Sequence, residues 1–246
     1  MNWFHKFVHW IIRSILRLLL IVHDEQIVHI PQTGPLLVIT NHVNFLEVPL
    51  VATHFGKRPL AGVAKIESWD NPIKSYLFNM WNAIPVRRGE ADRSALRGVL
   101  DALAEGKIVG LAPEGTRSYH GGLQVGHPGV LLMALRSGAP VQPLVLYGHE
   151  VFWQNLRRLK RTHVYFVAGS PFHIDDRDEN NAHMVLSREV REKMIREVMY
   201  QMAVLLPPKY RGIYSDLENA TSDYLRFEPG VQNNLERAKP GEYSHQ

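Results

Sequence analysis

Short apolar runs rich in β-branched residues alternate along this chain with segments whose apolar residues recur at helical spacing. Such runs are typical of buried strands, and their alternation with helices predicts an α/β fold with a mostly parallel sheet flanked by helices. The strand-like runs span residues 34–40, 60–64, 83–86, 108–112, 141–147 and 162–167. The helical segments span residues 46–55, 72–80, 91–104, 128–136 and 184–206. We therefore predict a single domain over residues 24–206, followed by an extension over residues 207–246 that packs partly on it.

The first apolar run ends in Asn41-His42, and Glu47 follows the histidine by five residues. Histidine is the usual acid–base group near neutral pH, and a carboxylate can hold its ring in one tautomer. On one continuous helix the two side chains would lie roughly 140° apart. They can meet only if His42 lies on the turn and Glu47 in the following helix. The position at the end of a buried strand predicts a catalytic histidine, His42, oriented by Glu47.

Two later runs also end in charged residues, at Arg87-Arg88-Gly89 and at Glu114-Gly115-Thr116-Arg117. Because the carboxyl ends of parallel strands share one edge of a sheet, we expect one crevice that also contains His42. Arginine binds phosphate through paired hydrogen bonds, and the exposed amides of a turn add to anion binding. Taken alone, the first cluster could be a solvated loop and the second a turn with a local ion pair. Together they favour a phosphate-bearing substrate from which His42 removes a proton.

Residues 1–23 predict an N-terminal amphipathic helix. Fourteen of the twenty residues from 3 to 22 are apolar. On a helical wheel the basic residues fall within an arc of roughly 120°: His5, Lys6, His9, Arg13 and Arg17. This pattern favours a helix that lies in a membrane interface. The alternatives are a helix packed on the protein's own core and a membrane span, which would bury Arg13 at a cost of about 2.5–3.5 kcal/mol.

Composition excludes several classes of function. The chain has no cysteine, which removes disulfides, thiolate nucleophiles and cysteine-bound metals. Its formal net charge of +4 and pI of about 9.3 favour anionic substrates or membrane surfaces, and no nucleic-acid-binding pattern occurs. Neither a Gly-x-Ser-x-Gly elbow nor a P-loop is present. No metal site is expected, and histidines without metal-ligand spacing are interpreted as loop or surface residues: His120, His127 and His149.

Four motifs resemble, in order and spacing, those of the PlsC-like glycerolipid acyltransferases, a family that includes 1-acyl-glycerol-3-phosphate acyltransferases. The family's Asn-His-x4-Asp motif corresponds to Asn41–Glu47, and its strand ending in an arginine corresponds to Ile84–Gly89. Its Pro-Glu-Gly-Thr-Arg-Ser motif is complete as Pro113–Ser118. Its apolar strand with a central proline matches Val141–Val145. The likeness covers roughly residues 30–170.

The resemblance implies transfer of a fatty acyl group from acyl-CoA or acyl-carrier protein to the hydroxyl of a phosphate-bearing lyso-lipid. The expected acceptor is 1-acyl-glycerol-3-phosphate, with His42 as general base and Glu47 as its partner. The implied residues for the acceptor phosphate are Arg88, Glu114, Gly115, Thr116 and Arg117. No cofactor is implied beyond the thioester co-substrate. The implied location is the cytoplasmic face of the cell membrane, peripheral or monotopic, among membrane phospholipids.

Glu47 departs from the family, which has an aspartate one methylene shorter at this position. Either the helix sits slightly farther back, or the acceptor is another lysophospholipid or a glycolipid. Two further alternatives are a non-catalytic membrane-binding or lipid-remodelling protein and a hydrolase. The intact His42, Arg88 and Arg117 argue against the first. The second predicts acyl release that does not depend on an acceptor.

Overall fold

The computed structural model describes residues 3–55, 58–89, 92–177 and 183–237 and is built around a seven-stranded sheet. Its strands are β1 (Leu20–His23), β2 (Leu36–Ile39), β3 (Leu60–Lys65), β4 (Ile84–Val86), β5 (Ile108–Leu111), β6 (Val141–Tyr147) and β7 (Thr162–Ala168). They lie in the order β1-β7-β6-β2-β5-β3-β4. The five strands from β6 to β4 run parallel, whereas β7 is antiparallel to β6 and β1 runs with β7. The predicted α/β fold with a mostly parallel sheet is confirmed.

Helices cover both faces of this sheet. They are α1 (Trp3–Leu19), α2 (Glu47–His54), α3 (Pro72–Met80), α4 (Arg93–Ala104), α5 (Gly129–Ser137), α6 (Phe152–Arg157), α7 (Arg188–Ala203) and α8 (Asn234–Arg237). Leu36 and Val38 of β2 belong to the core under α1 and α2, whereas Leu37 and Ile39 belong to the core under α4, α5 and α7. Alternate residues of a strand point to opposite faces, so a strand covered on both sides is apolar throughout. This explains why β2 reads as a continuous apolar run.

Residues 20–23 form a strand and are not part of the helix predicted over residues 1–23. Helix α1 ends at Leu19, and β1 pairs with β7 along its whole length. An apolar run with branched Ile21 and Val22 suits either structure, and pairing with the edge of β7 decides in favour of a strand. Arg161 donates hydrogen bonds to the carbonyls of Arg17 and Leu20, where the last turn of α1 leaves oxygens without helical partners.

The segment after α7 contacts the body through several buried side chains, among them Tyr210, Tyr214 and Leu225. It also forms β9 (Leu225–Arg226), which pairs with β8 (His173–Ile174). The buried carboxylate of Glu197 on α7 accepts hydrogen bonds from the Thr221 hydroxyl and from two backbone amides of this segment. Residues 238–246, the end of the predicted extension, lie outside the described residues.

Helix α1 turns much of its apolar surface to solvent. Leu16 is its only buried residue. Six large apolar side chains are exposed: Trp3, Phe4, Phe7, Trp10, Ile15 and Leu18. The predicted basic stripe is divided, since Lys6 and Arg17 are exposed whereas His9 is half-buried and accepts a hydrogen bond from Trp81 Nε1 (2.9 Å). In the part of the chain that the structure describes, no helix is long and apolar enough to cross a membrane.

Candidate active site

His42 lies on the turn between β2 and α2, and Glu47 is the first residue of α2. His42 Nδ1 lies 3.2 Å from Glu47 Oε2, so the two side chains meet as the sequence predicts. The side chains are 16% and 3% exposed, respectively. An ionised carboxylate can only accept a hydrogen bond, so His42 carries its proton on Nδ1 and presents the lone pair of Nε2.

Glu47 accepts hydrogen bonds from four groups. Its Oε2 faces His42, and its Oε1 accepts the backbone N–H groups of Val43 (2.7 Å) and Asn44 (2.9 Å). The third partner of Oε1 is the ring of His149, with Nε2 at 2.5 Å. Burial alone would raise the pKa of Glu47, but hydrogen bonds and charges from His149 and His42 hold it at about 2. Glu47 is therefore ionised at neutral pH.

His149 is a site residue that the sequence interpretation missed, and its assignment as a loop or surface residue is wrong. The side chain is completely buried. It lies two residues beyond Tyr147, the last residue of β6, and β6 is the parallel neighbour of β2. Its strand therefore ends at the same sheet edge as the strand before His42. The signal that could have located it was this position, a titratable residue just after a buried strand.

Two asparagines anchor the His42 turn to the end of β6. The Asn41 side chain both donates to and accepts from the backbone of Leu146, each at 2.8 Å. The Asn44 side chain donates to the carbonyl of His149 (2.9 Å). Since these residues flank His42, they bring its ring and the ring of His149 to opposite oxygens of one carboxylate.

The loop after β5 encloses the backbone of His42. Glu114 Oε1 accepts the His42 N–H (3.0 Å), and the Ser118 N–H donates to the His42 carbonyl (2.7 Å). Gly115 has a φ of +65°, a conformation that strains any residue with a Cβ. The Gly115 N–H donates to the carbonyl of Ala112 (3.1 Å), so this amide is engaged within the turn. Glu114 therefore connects the Pro113–Ser118 motif to the Asn41–Glu47 motif through a hydrogen bond.

The two buried carboxyl groups of the site have very different pKa values. Burial raises the pKa of Glu114 to about 7, against the opposing hydrogen bonds from the backbone of Gln124 and His42, and the charge of Glu47 adds to the rise. The pKa of Glu47 is about 2. Near neutral pH the charge of the site therefore varies at Glu114 while Glu47 stays ionised.

Arg88 and Arg117 lie at the ends of β4 and β5, with their side chains exposed. Partial burial lowers the pKa of Arg88, and the positive charge of Arg117 lowers it further, so the two cations interact at this edge of the sheet. The turn that carries Arg88 is held by Asp92, which caps α4 and accepts the Arg87 N–H (2.8 Å). Two cations at one edge of a sheet can together bind an anion. Within the described ranges, no three His, Asp or Glu side chains are arranged to hold a metal.

We expect Glu47→Gln to destabilise the protein most at neutral pH and least in acid. The folded-state pKa of Glu47 is about 2, below its ordinary value of 4.5. Its contribution to stability is therefore full above pH 4.5 and is lost as the pH falls towards 2. A depression of this size corresponds to about 3 kcal/mol. Urea unfolding from about pH 6 to about pH 2 measures the difference between wild type and variant, and a difference that is constant with pH would contradict this assignment.

Comparison with known proteins finds acyltransferases among the proteins similar to this chain. The Acyltransferase family model matches residues 21–147, just over half of the chain. A 1-acyl-sn-glycerol-3-phosphate acyltransferase of Borreliella burgdorferi is 27% identical over 127 residues, covering 51% of this chain and 50% of that protein. A lyso-ornithine lipid O-acyltransferase of Pseudomonas aeruginosa is 28% identical over 113 residues, covering 46% of this chain and 43% of that protein. The chain thus spans about half the length of the curated relatives it matches.

The fold also has a counterpart among solved structures. The crystal structure of the 1-acyl-sn-glycerophosphate (LPA) acyltransferase PlsC from Thermotoga maritima matches with a TM-score of 0.56 and 23% identity. The match covers 89% of this chain and 83% of that one. The sheet and its flanking helices therefore have the PlsC arrangement. The residues matched by the family model include every predicted site residue, whereas His149 lies just beyond them.

Proposed function

Since the chain belongs to the Acyltransferase family, we propose that it transfers a fatty acyl group from acyl-CoA or acyl-carrier protein to a lyso-lipid hydroxyl. The expected acceptor is 1-acyl-glycerol-3-phosphate, which would become phosphatidic acid. The observation that carries this proposal is His42, oriented by ionised Glu47, at the same sheet edge as the arginine pair Arg88 and Arg117. A base and an anion subsite meet the two needs of an acceptor with a hydroxyl and a phosphate.

In the proposed reaction the acceptor hydroxyl gives its proton to Nε2 of His42 while its oxygen bonds to the thioester carbonyl carbon. The carbonyl electron pair moves to oxygen and returns as the carbon–sulfur bond breaks. The departing sulfur takes the proton from His42 and leaves as a thiol. Glu47 stabilises the transient imidazolium and keeps its orientation. The acyl group passes directly from donor to acceptor, without a covalent acyl-enzyme.

Arg88 and Arg117 would hold the acceptor phosphate, with Glu114 fixing the loop that carries Arg117. Since the Gly115 N–H is engaged within the turn, the amide contribution falls to Thr116, whose side chain is exposed. Exposed amides of a turn beside two guanidinium groups suit an anion. The Thr116 amide would also stabilise negative charge on the thioester oxygen during transfer.

Helix α1 would supply the contact with membrane phospholipids. Its exposed aromatic face is bordered by the cations Lys6 and Arg17, as in helices that lie in a bilayer interface. Ile73 of α3 is also 72% exposed, and Tyr76 of that helix contacts Phe4. We place the protein peripherally on the cytoplasmic face of the membrane, where an amphiphilic acceptor can be reached from the bilayer.

A second candidate acceptor is a lyso-ornithine lipid, because one relative carries that activity in its name. The arginine pair can bind a carboxylate as well as a phosphate, since each presents two oxygens to the paired N–H groups of a guanidinium. Glu47, longer than the aspartate usual in the family, is the feature that keeps this candidate open.

A thiol-release assay with acyl-CoA or acyl-carrier protein and a panel of lyso-lipids tests the proposed function. We expect thiol release that requires an acceptor and is fastest with 1-acyl-glycerol-3-phosphate. Faster turnover of lyso-ornithine lipid would move the assignment to the second candidate. Thiol release that needs no acceptor would instead identify a hydrolase and overturn both.

Replacing Trp10 by serine should weaken binding to phospholipid vesicles by about tenfold. Burying a large apolar side chain is worth at least about 1.5 kcal/mol, and Trp10 is 65% exposed in the protein. Co-sedimentation with vesicles measures the change. Leu159→Ser is the control, since Leu159 is 95% exposed but lies outside α1, and equal losses in the two variants would refute a specific role for α1. Substitution is preferable to deletion of residues 1–23, which would also remove β1.

A further inference from the structure

His149 has an unusual position for a residue outside the recognised motifs. It is completely buried, and its Nε2 lies 2.5 Å from the oxygen of Glu47 that does not face His42. The carbonyl of His149 accepts a hydrogen bond from the Asn44 side chain, which holds the backbone that carries the ring. Gly148 has a φ of +92°, and a Cβ there would lie 2.5 Å from the His163 carbonyl. The backbone before His149 therefore tolerates only glycine, which fixes the path of the chain into His149.

The hydrogen bond has a defined direction. Glu47 is ionised, so its oxygens can only accept, and His149 must donate its Nε2–H. Its Nδ1 is buried and has no hydrogen-bond partner in the part of the chain that the structure describes. The only polar contact found for this buried ring is therefore the one with Glu47. The unpaired Nδ1 costs free energy in the interior, and the hydrogen bond from Nε2 to the charged carboxylate of Glu47 offsets part of that cost.

We propose that His149 is a positioning residue matched to Glu47, which explains why this chain carries glutamate at a position where aspartate is usual. The glutamate must bridge two rings on opposite sides, His42 at Oε2 and His149 at Oε1, while Oε1 also accepts two backbone amides. An aspartate is shorter by one methylene and could satisfy one ring only. His149 thus sets the carboxylate angle that His42 requires, and the inference rests on the proposed acyl transfer.

Kinetics separate this role from simple core packing. His149→Ala should lower kcat by about 10–100-fold, the typical effect of losing one hydrogen bond to a charged group, and leave KM for both substrates unchanged. His149→Gln, whose amide can donate from a similar position, should restore kcat to within about threefold of wild type. His173→Ala is the control, since His173 also lies near a carboxylate, Glu228 at 3.4 Å, but outside the site. It should keep the wild-type kcat.

A double-mutant cycle tests the match itself. Glu47→Asp alone should be strongly impaired. The double variant Glu47→Asp/His149→Ala should be impaired less than the product of the two single effects, because the lost bond is then counted once. Multiplicative effects, or a failure of His149→Gln to recover kcat in a protein that melts like wild type, would overturn the inference. If wild type shows no acceptor-dependent thiol release, the proposed function fails instead, and the nitrogen NMR signals of His149 still report whether Nε2 carries the proton.

A second inference comes from a cavity of about 280 Å³ between α1, β1 and the end of α2. Three arginines line it together with one carboxylate, Asp24: Arg13, Arg17 and Arg161. Within the described ranges no carboxylate lies within 4 Å of these guanidinium groups. Arg161 donates to two backbone carbonyls, whereas Nε of Arg13 is buried without a hydrogen-bond partner there. Clustered cations with so little compensation favour a bound anion.

The geometry points to a phosphate group as the occupant of this cavity. Guanidinium forks bind phosphate through paired hydrogen bonds, and the volume admits such a group. Arg17 lies two helical turns after Trp10, on the same side of α1 as the exposed aromatic face. A phospholipid in the bilayer surface could therefore place its headgroup phosphate in the cavity. This site is separate from the Arg88 and Arg117 subsite and does not depend on acyl transfer.

Vesicle binding and thermal stability test the cavity. Arg13→Gln should lower binding to phosphatidylglycerol vesicles by about tenfold, whereas Lys6→Gln, an exposed cation of α1 outside the cavity, should change it only about threefold. Inorganic phosphate should compete with vesicles for wild type more than chloride of equal ionic strength does. If phosphate instead raises the melting temperature of wild type but not of Arg13→Gln and does not compete, the occupant is a free phosphate. Equal losses in both variants, with no phosphate effect, would overturn the site.

Discussion

Replacing His42 by alanine is expected to lower kcat/KM for acyl transfer by about 10²–10⁴-fold without unfolding the protein. The variant loses the imidazole whose Nε2 takes the proton of the acceptor hydroxyl in the proposed reaction. Glu47 keeps its three contacts at Oε1, so the buried carboxylate is still held. Acceptor-dependent thiol release measures the activity, and a thermal melt that matches wild type shows that the fold is intact.

The matched control for this variant is His29→Ala. His29 is exposed at the end of a short 3-10 helix. Its removal should leave kcat/KM at the wild-type value. Full activity in His42→Ala would contradict the assignment of His42 as the general base and of Glu47 as the residue that orients it. An equal loss of activity in both variants would show that the effect is not specific to His42 and would contradict its assignment as the general base.

The sheet and the positions of most candidate site residues could be predicted from the sequence. The apolar runs that predict the strands also mark, at their ends, where the candidate site residues lie. A strand covered on two faces must be apolar throughout, so β2 stands out, and its polar neighbours Asn41 and His42 mark where it ends. The parallel pairing of β2 with β5 then brings Glu114 to the backbone of His42. Neither step needs knowledge of side-chain packing, only of strand ends and sheet order.

The position of His149 just after a buried strand could have marked it as it marked His42, but its contact with Glu47 depends on a distance that no sequence spacing encodes. It lies 102 residues from Glu47, and its neighbours in sequence are ordinary for a loop. Only the adjacency of β6 and β2 brings the two residues together. The extra methylene of Glu47 is visible in the sequence, but the ring that it reaches becomes visible only in the fold.

The N-terminal segment shows where local pattern and tertiary pairing compete. Residues 3–22 have a helical distribution of apolar and basic side chains, yet Leu20–His23 pairs with β7. The strand edge offers backbone partners for four residues that an isolated helix end would leave frayed. The helix that remains keeps its aromatic residues exposed, which a sequence pattern alone cannot distinguish from a face buried on the core.

Removing both arginines of the anion subsite, as Arg88→Gln with Arg117→Gln, should raise KM for 1-acyl-glycerol-3-phosphate by about 100-fold. A hydrogen bond to a charged group is worth about 1.5–3 kcal/mol, and because both side chains are exposed we take the lower end, about tenfold for each. Turnover of bound acceptor should change little.

The most direct control is an acceptor without its phosphate, monoacylglycerol, which the wild type and the double variant should use equally poorly. Arg97→Gln, an exposed arginine of α4, controls for net charge. An equal loss with both acceptors would show that these arginines support the loops and not the phosphate, and the proposed acceptor class would then lose its physical basis.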